Sequence, residues 1–177
     1  MLLKNVQKLL LLVMLFPALV SASNSNHNLQ KIGEGTSYYL KIFKVYDASL
    51  YSSDSPGDRN ILSNEVSKCL QLEYDVDINK DIIIESAIAA LSRQFPAEVL
   101  TEFSRDIELI NQRYQDVQKG DSYTLCYNRD TYETTLAFND SVVVSITSPG
   151  FAEVYFSIWL GEDEPLDKSL RDDLLSG

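Results

Sequence analysis

The hydrophobic period of this chain switches three times, and the order of those switches limits its folds more than any other feature. From 32 to 51 the pattern is extended: Tyr38, Leu40 and Ile42 alternate with Tyr39, Lys41 and Phe43, in a stretch rich in aromatic and β-branched residues. "SSDSPGDRN" has loop composition, and "CLQLEYDV" is a third strand. The period then turns helical. Ile84, Ala87, Ile88, Leu91 and Phe95 recur at helical spacing, with Asn79 or Asp81 as N-cap. Pro96 breaks that helix and can open another, along which Val99 or Leu100, Phe103, Ile107, Ile110, Tyr114 and Val117 form a second stripe. "DSYTLCYN", "ETTLAFN" and "SVVVSI" return to strands, and the turns "RDTY" and "ND" between them predict a meander. Ser148 and Pro149 start a helix with Phe151, Val154, Tyr155, Ile158 and Trp159 on one face, and Gly161 ends it. Leu166, Leu170 and Leu174 mark a last short helix.

Strands, helices, strands and helices in that order predict an α+β domain over residues 31–177: an antiparallel sheet of about six strands with helices against one face. The helical stripes need the sheet to bury them. The polar alternation at 69–75 and 122–128 lets the other sheet face be wet. A single domain suits a chain of 177 residues, 45% apolar and 23% charged.

The first 23 residues are expected to stand outside that domain. Lys4 and Lys8 precede an apolar run from Leu9 to Val20, and "VSAS" offers small residues for cleavage after Ala22 or Ser23. That is the layout of a secretory signal peptide. The run is broken by Pro17 and shorter than the ~20 apolar residues a span requires, so no membrane span is expected after cleavage; an uncleaved N-terminal anchor is the other reading. Residues 24–30 are expected to be a flexible polar tail. It carries His27, the single histidine, which removes histidine triads and His-rich metal sites from consideration. The two cysteines are isolated, the acids lack ligand spacing, and "GEG" at 33–35 is too short for a phosphate loop, so no metal and no cofactor is expected.

Loss of Lys4 and Lys8 takes the net charge from −11 to about −13, because the leader contains no acid. A body that acidic repels nucleic acid and anionic lipid surfaces, so no nucleic-acid partner is expected. Acids cluster in "GEDEPLDKSLRDDLL", read as a solvated negative rim. In an oxidising compartment Cys69 and Cys126 can bridge. Alternation places each on the more polar side of its strand, Cys69 with Gln71 and Glu73, Cys126 with Ser122 and Thr124. If the two strands are neighbours in register a disulfide is geometrically open; two separate thiols is the alternative.

Three stretches resemble the chalcone isomerase-like proteins, specifically their exported bacterial branch: "GEG…KVYDASLY" at 33–51, "LEYDVDINKDIIIESAIAAL" at 72–91 and "SPGFAEVYFSIWLGEDEPLDKSLRDDLL" at 148–175. "KGDSYTLCY" and "LAFNDSVV" also fit, in the family's order. The resemblance implies an open-faced β-sandwich, a broad antiparallel sheet with helices packed on it, and a periplasmic location. The family contains enzymes that cyclise a chalcone, relatives that bind fatty acids, and members with no known activity. Cyclisation needs a cation for the phenolate and hydrogen-bond donors for the developing enolate. The enzymes' arginine would fall between Glu34 and Ser37, where this chain has none; Lys41 and Lys44 lie nearby, and the first arginine is Arg59. Their first threonine aligns with Tyr46, the tyrosine with about Asn79, the asparagine with about Ser86 and the last threonine with about Ile158. None of the five residue types is kept, so catalytic residues are not assigned.

The first reading is therefore an exported, non-catalytic protein that holds a small apolar or amphipathic, fatty-acid-like molecule between sheet and helices. Its candidate pocket comprises Phe43, Tyr46, Asn79, Ile84, Ser86, Ile88, Tyr155 and Ile158, apolar with a few polar groups. A packed core without a cavity is the alternative for these side chains, as strand packing is for Tyr38, Tyr39 and Tyr51 and core packing for Trp159. A second reading is an isomerase or intramolecular lyase using Tyr46, Asn79, Ser86 or Lys44. A third is a cell-envelope interaction module using the Glu162–Glu164 cluster or the open sheet face.

Overall fold

The computed structural model describes residues 29–54 and 60–176. The leader at 1–23, His27 and most of the tail at 24–30 lie outside these residues, as does Arg59. The elements run β1 (Gln30–Tyr39), β2 (Phe43–Ser52), β3 (Lys68–Tyr74), α1 (Lys80–Gln94), α2 (Ala97–Glu102), α3 (Ser104–Asn111), β4 (Ser122–Asn128), β5 (Glu133–Phe138), β6 (Ser141–Thr147), α4 (Phe151–Leu160) and α5 (Lys168–Leu175). The six strands form one antiparallel sheet in sequence order. It is an α+β open-faced sandwich, as the order of periodicities predicts.

The alternation along each strand decides which face meets the helices. Leu50, Leu70, Leu125 and Leu136 pair across four strands in one buried rung, and Ala48, Leu72 and Tyr123 form the next. On the opposite face Cys69 and Cys126 stand directly across from one another and are disulfide-bonded. The Asn139–Asp140 turn between β5 and β6 has both residues at positive φ (46° and 65°), the geometry a two-residue hairpin requires.

Every residue of α4 except Glu153 is buried, so this helix is covered by the sheet on one side and by α1 and α5 on others. Apolarity all round is what a fully buried helix needs. Gly150, at φ 86°, makes its entry, where the sequence pattern pointed to Ser148 and Pro149. Small residues let its neighbours approach. Ala87 and Ala90 of α1 are buried with Leu91, and Gln94 donates to the Ser157 carbonyl of α4 at 3.0 Å. At the sheet edge, a Cβ on Gly33 would lie 2.0 Å from the Leu174 carbonyl oxygen, so α5 rests directly on the backbone of β1. That is the role of "GEG".

The second helical stripe divides. The helix breaks at Phe103 and ends at Asn111. Tyr114 and Val117 are still buried, but beyond the helix, because Val117 forms an antiparallel bridge to Ile78. Their N–H groups each donate to the other's carbonyl, at 2.9 and 3.0 Å. The helical excursion thus leaves and rejoins the sheet at one clasp.

Lys68 is fully buried at the start of β3, on the helix-covered side. Its ammonium donates to the carbonyls of Leu62, Ser63 and Val66 and sits over the rings of Tyr127 and Phe156. It ties the loop before β3 to the core, and burial pushes its pKa from 10.5 to about 7.

Candidate functional site

At the end of the sheet away from Lys68, the layers part into a cleft of 1330 Å³, larger than the ~300–1,000 Å³ of common small-molecule sites and open at its mouth. Its walls come from β1 and β2, from the start of α1, from Ile158 and Trp159 of α4, and from the Leu166–Ser169 segment. The local sequence explains the opening. Between Ser37 and Tyr38 the β1–β2 register slips by one residue, leaving Val45 as an extra residue on β2. Bulges bend and twist a strand end. Beyond this one, both Tyr38 and Tyr39 contribute to the cleft although they are consecutive. On α1, seating the helix on Ala87 and Ala90 turns Ile82, Ile83 and Ser86 toward the cleft.

The floor is aromatic. Tyr46 and Tyr74 meet edge to face, 5.5 Å between centroids, and both are buried. Tyr46 Oη and Trp159 Nε1 are buried without hydrogen-bond partners. Burial pushes the Tyr46 phenol up to about 12; the Ser37 hydroxyl and Trp159 indole stand close enough to pull it back slightly, and Asp167 raises it further. At neutral pH Tyr46 is therefore a neutral donor and not a base. Beside it, Ser37 donates to Asp167 Oδ2 at 3.2 Å. Asp167 also caps α5, accepting from the Leu170 N–H at 3.1 Å. Asn79 uses its side-chain oxygen to cap α1 through the Asp81 N–H. The cations among the described lining residues are Lys41, Lys44 and Lys168, with no arginine; Lys44 is held by Asp47 at 2.7 Å. Such a cleft can bury a hydrocarbon and offer hydrogen-bond donors at its floor. It presents point charges at its rim in place of a planar guanidinium fork.

Of the residues expected to line a pocket, Phe43, Tyr46, Asn79, Ser86 and Ile158 do so. Ile84, Ile88 and Tyr155 do not, which corrects the expected outline. Ile84 and Ile88 are rotated around α1 into a separate groove of 570 Å³ against α2 and α3, because the helix seats on its small residues and not its large ones. Tyr155 lies one turn before Ile158–Trp159 and is fully buried, its hydroxyl 3.1 Å from that of Tyr114. Trp159, expected as core, is core and cleft wall at once. Ser37, Tyr74 and Asp167 carried no distinguishing sequence signal. The apolarity of α4 on nearly every side, broken only by Glu153 and Ser157, was the available clue that its far face is covered by something other than the sheet.

No helix among the described residues is long and apolar enough to cross a membrane. The chalcone isomerase-like family profile matches residues 16–176. No curated protein matches the chain. Among solved structures it is similar to a fatty-acid binding protein from Arabidopsis thaliana, with a TM-score of 0.62 and 17% identity over 90% of each chain. At that identity the likeness is one of fold.

Proposed function

Because the chain belongs to the chalcone isomerase-like family, we propose that it is a non-catalytic member that carries an apolar or amphipathic small molecule in the cleft between sheet and helices. One observation carries this reading: the buried Tyr46 hydroxyl and Trp159 indole N–H, which stand near one another and near Ser37 without a well-formed hydrogen bond, set at the floor of an apolar-walled cleft. An unpartnered buried polar atom costs ~1–3 kcal/mol, and an oxygen on the ligand would complete both. Asp167 stands close by, so the oxygen that suits the floor is a hydroxyl, a carbonyl or a protonated carboxyl. A carboxylate is better served by the rim lysines. The fatty-acid binding protein of similar fold supports the same ligand class. Phe43, Tyr46, Asn79, Ser86 and Ile158 are the contacts proposed from the original set.

The same proposal places the protein in the exported bacterial branch, with residues 1–23 removed as a leader and the mature chain in the periplasm. The Cys69–Cys126 bridge supports an oxidising compartment. The test is native mass spectrometry of freshly purified protein together with displacement of a fluorescent fatty acid. A co-purifying lipid-sized mass and saturable displacement are expected. A clean unliganded mass with no probe binding overturns the reading.

A further inference from the structure

The rim of the cleft is unusual in its own right. The turn joining β1 to β2 carries bulky apolar side chains into solvent: Tyr39, Leu40, Ile42 and Phe43 are 64%, 67%, 71% and 59% exposed. Leu40 and Lys41 both sit at positive φ (52° and 63°), positions that locally favour Gly or Asn. Val76 and Ile82, also exposed, belong to the same mouth. Exposed apolar groups gathered in one place mark an interaction site. From Tyr38 to Tyr46 there are two lysines and no acid, in a chain whose net charge is −11. Lys44 is paired to Asp47, and Asp77, Asp167 and Asp173 also line the cleft, so the basic excess is confined to Lys41 at the apex.

We propose that this hairpin tip docks the mouth of the cleft on a phospholipid bilayer, so that a lipid-like ligand passes between bilayer and cleft without crossing water. The proposal rests on the ligand-carrying reading of the cleft. Tyrosine beside aliphatic residues and lysine is the chemistry of the headgroup–acyl boundary, and lysine complements anionic headgroups. The shape argues for a bilayer over a protein partner. A convex apex of a few side chains falls short of the roughly 20–30 residues a side that a stable protein interface takes, whereas a bilayer accepts any convex apolar tip. Because the exposed residues other than Ile42 are also cleft-lining residues, docking places the ligand's exit at the depth of the acyl chains.

Ile42 separates docking from ligand binding, since it is the most exposed of the tip residues and does not line the cleft. The experiment is co-sedimentation with vesicles of phosphatidylethanolamine and phosphatidylglycerol, comparing the protein with Ile42→Glu, alongside displacement of a fluorescent fatty acid in solution and light scattering for oligomeric state. Any contribution from other segments is common to both proteins. The expected result is vesicle binding weakened at least about tenfold in Ile42→Glu, with solution affinity for the fatty acid unchanged. Equal vesicle binding by the two proteins, or none by either while the fatty acid still binds, overturns docking and leaves the cleft reading intact. Vesicle binding that depends on Ile42 without any fatty-acid binding sinks the cleft reading instead. A dimer that Ile42→Glu dissociates shows the tip covered by a second copy and also overturns the proposal.

Discussion

Tyr46 carries the sharpest prediction at the scale of the residue, because burying a phenol without a partner and needing it for a ligand have opposite consequences. Tyr46→Phe removes the orphaned oxygen and keeps the ring that packs on Tyr74. The unliganded protein should gain about 1 kcal/mol in thermal or urea denaturation, while affinity for the displaced fatty acid falls about tenfold. If stability and affinity fall together, the phenol is structural and the donor role at the floor is wrong. The residues that lead to this site were legible unevenly. Tyr46, Asn79, Ser86 and Ile158, placed by family resemblance, converge on one cleft although they are scattered over β2, α1 and α4. Ile84, Ile88 and Tyr155, placed by helical periodicity, miss it. Periodicity says that a side chain wants burial. It does not say which neighbour will bury it, and on α1 the alanines took the closest contact.

The disulfide belongs to the scale of elements. It joins β3 and β4, the two central strands, across a sequence separation of 57 that encloses the whole helical excursion. Closing a loop of that length in the unfolded chain is worth about 4 kcal/mol in the chain-entropy account. Cys69→Ser with Cys126→Ser should lower unfolding stability by up to that amount in urea titrations, and reductant should do the same to the native protein. An unchanged midpoint would show that sheet pairing alone fixes the register. The alternation of strands 69–75 and 122–128 told which face the cysteines share, but pairing depended on strand order, which periodicity leaves open. The second stripe failed differently. Its apolar residues are buried or half-buried against the core, yet Tyr114 and Val117 lie beyond the helix, since the backbone of Val117 had a better partner in Ile78. Spacing records burial and is blind to such a backbone contact.

For the whole molecule, buried titratable groups set a pH profile. Lys68 is lowered from 10.5 to about 7 by burial. Below pH 7 it is charged in both folded and unfolded chains, and the full cost of burying the charge is present. As pH rises from about 7 toward 10.5, the unfolded chain holds the proton longer, so stability increases. The buried Tyr46, Tyr74, Tyr114 and Tyr155 act in the opposite sense. Burial raises all four, so above pH 10 the unfolded chain releases protons that the folded one keeps, and stability is lost. Denaturation midpoints should therefore climb between pH 7 and 10 and then fall. Lys68→Met should flatten the climb and leave the fall; a climb that persists in the variant would assign it to other groups. The clasp at Ile78 and Val117 has a different consequence. Since the two ends of the excursion meet, the chain re-enters beside the point where it left, and the order of the six strands does not depend on the length of what lies between. One wall of the cleft, the start of α1, thus hangs from a fixed frame, and its outline can change while that frame stays the same.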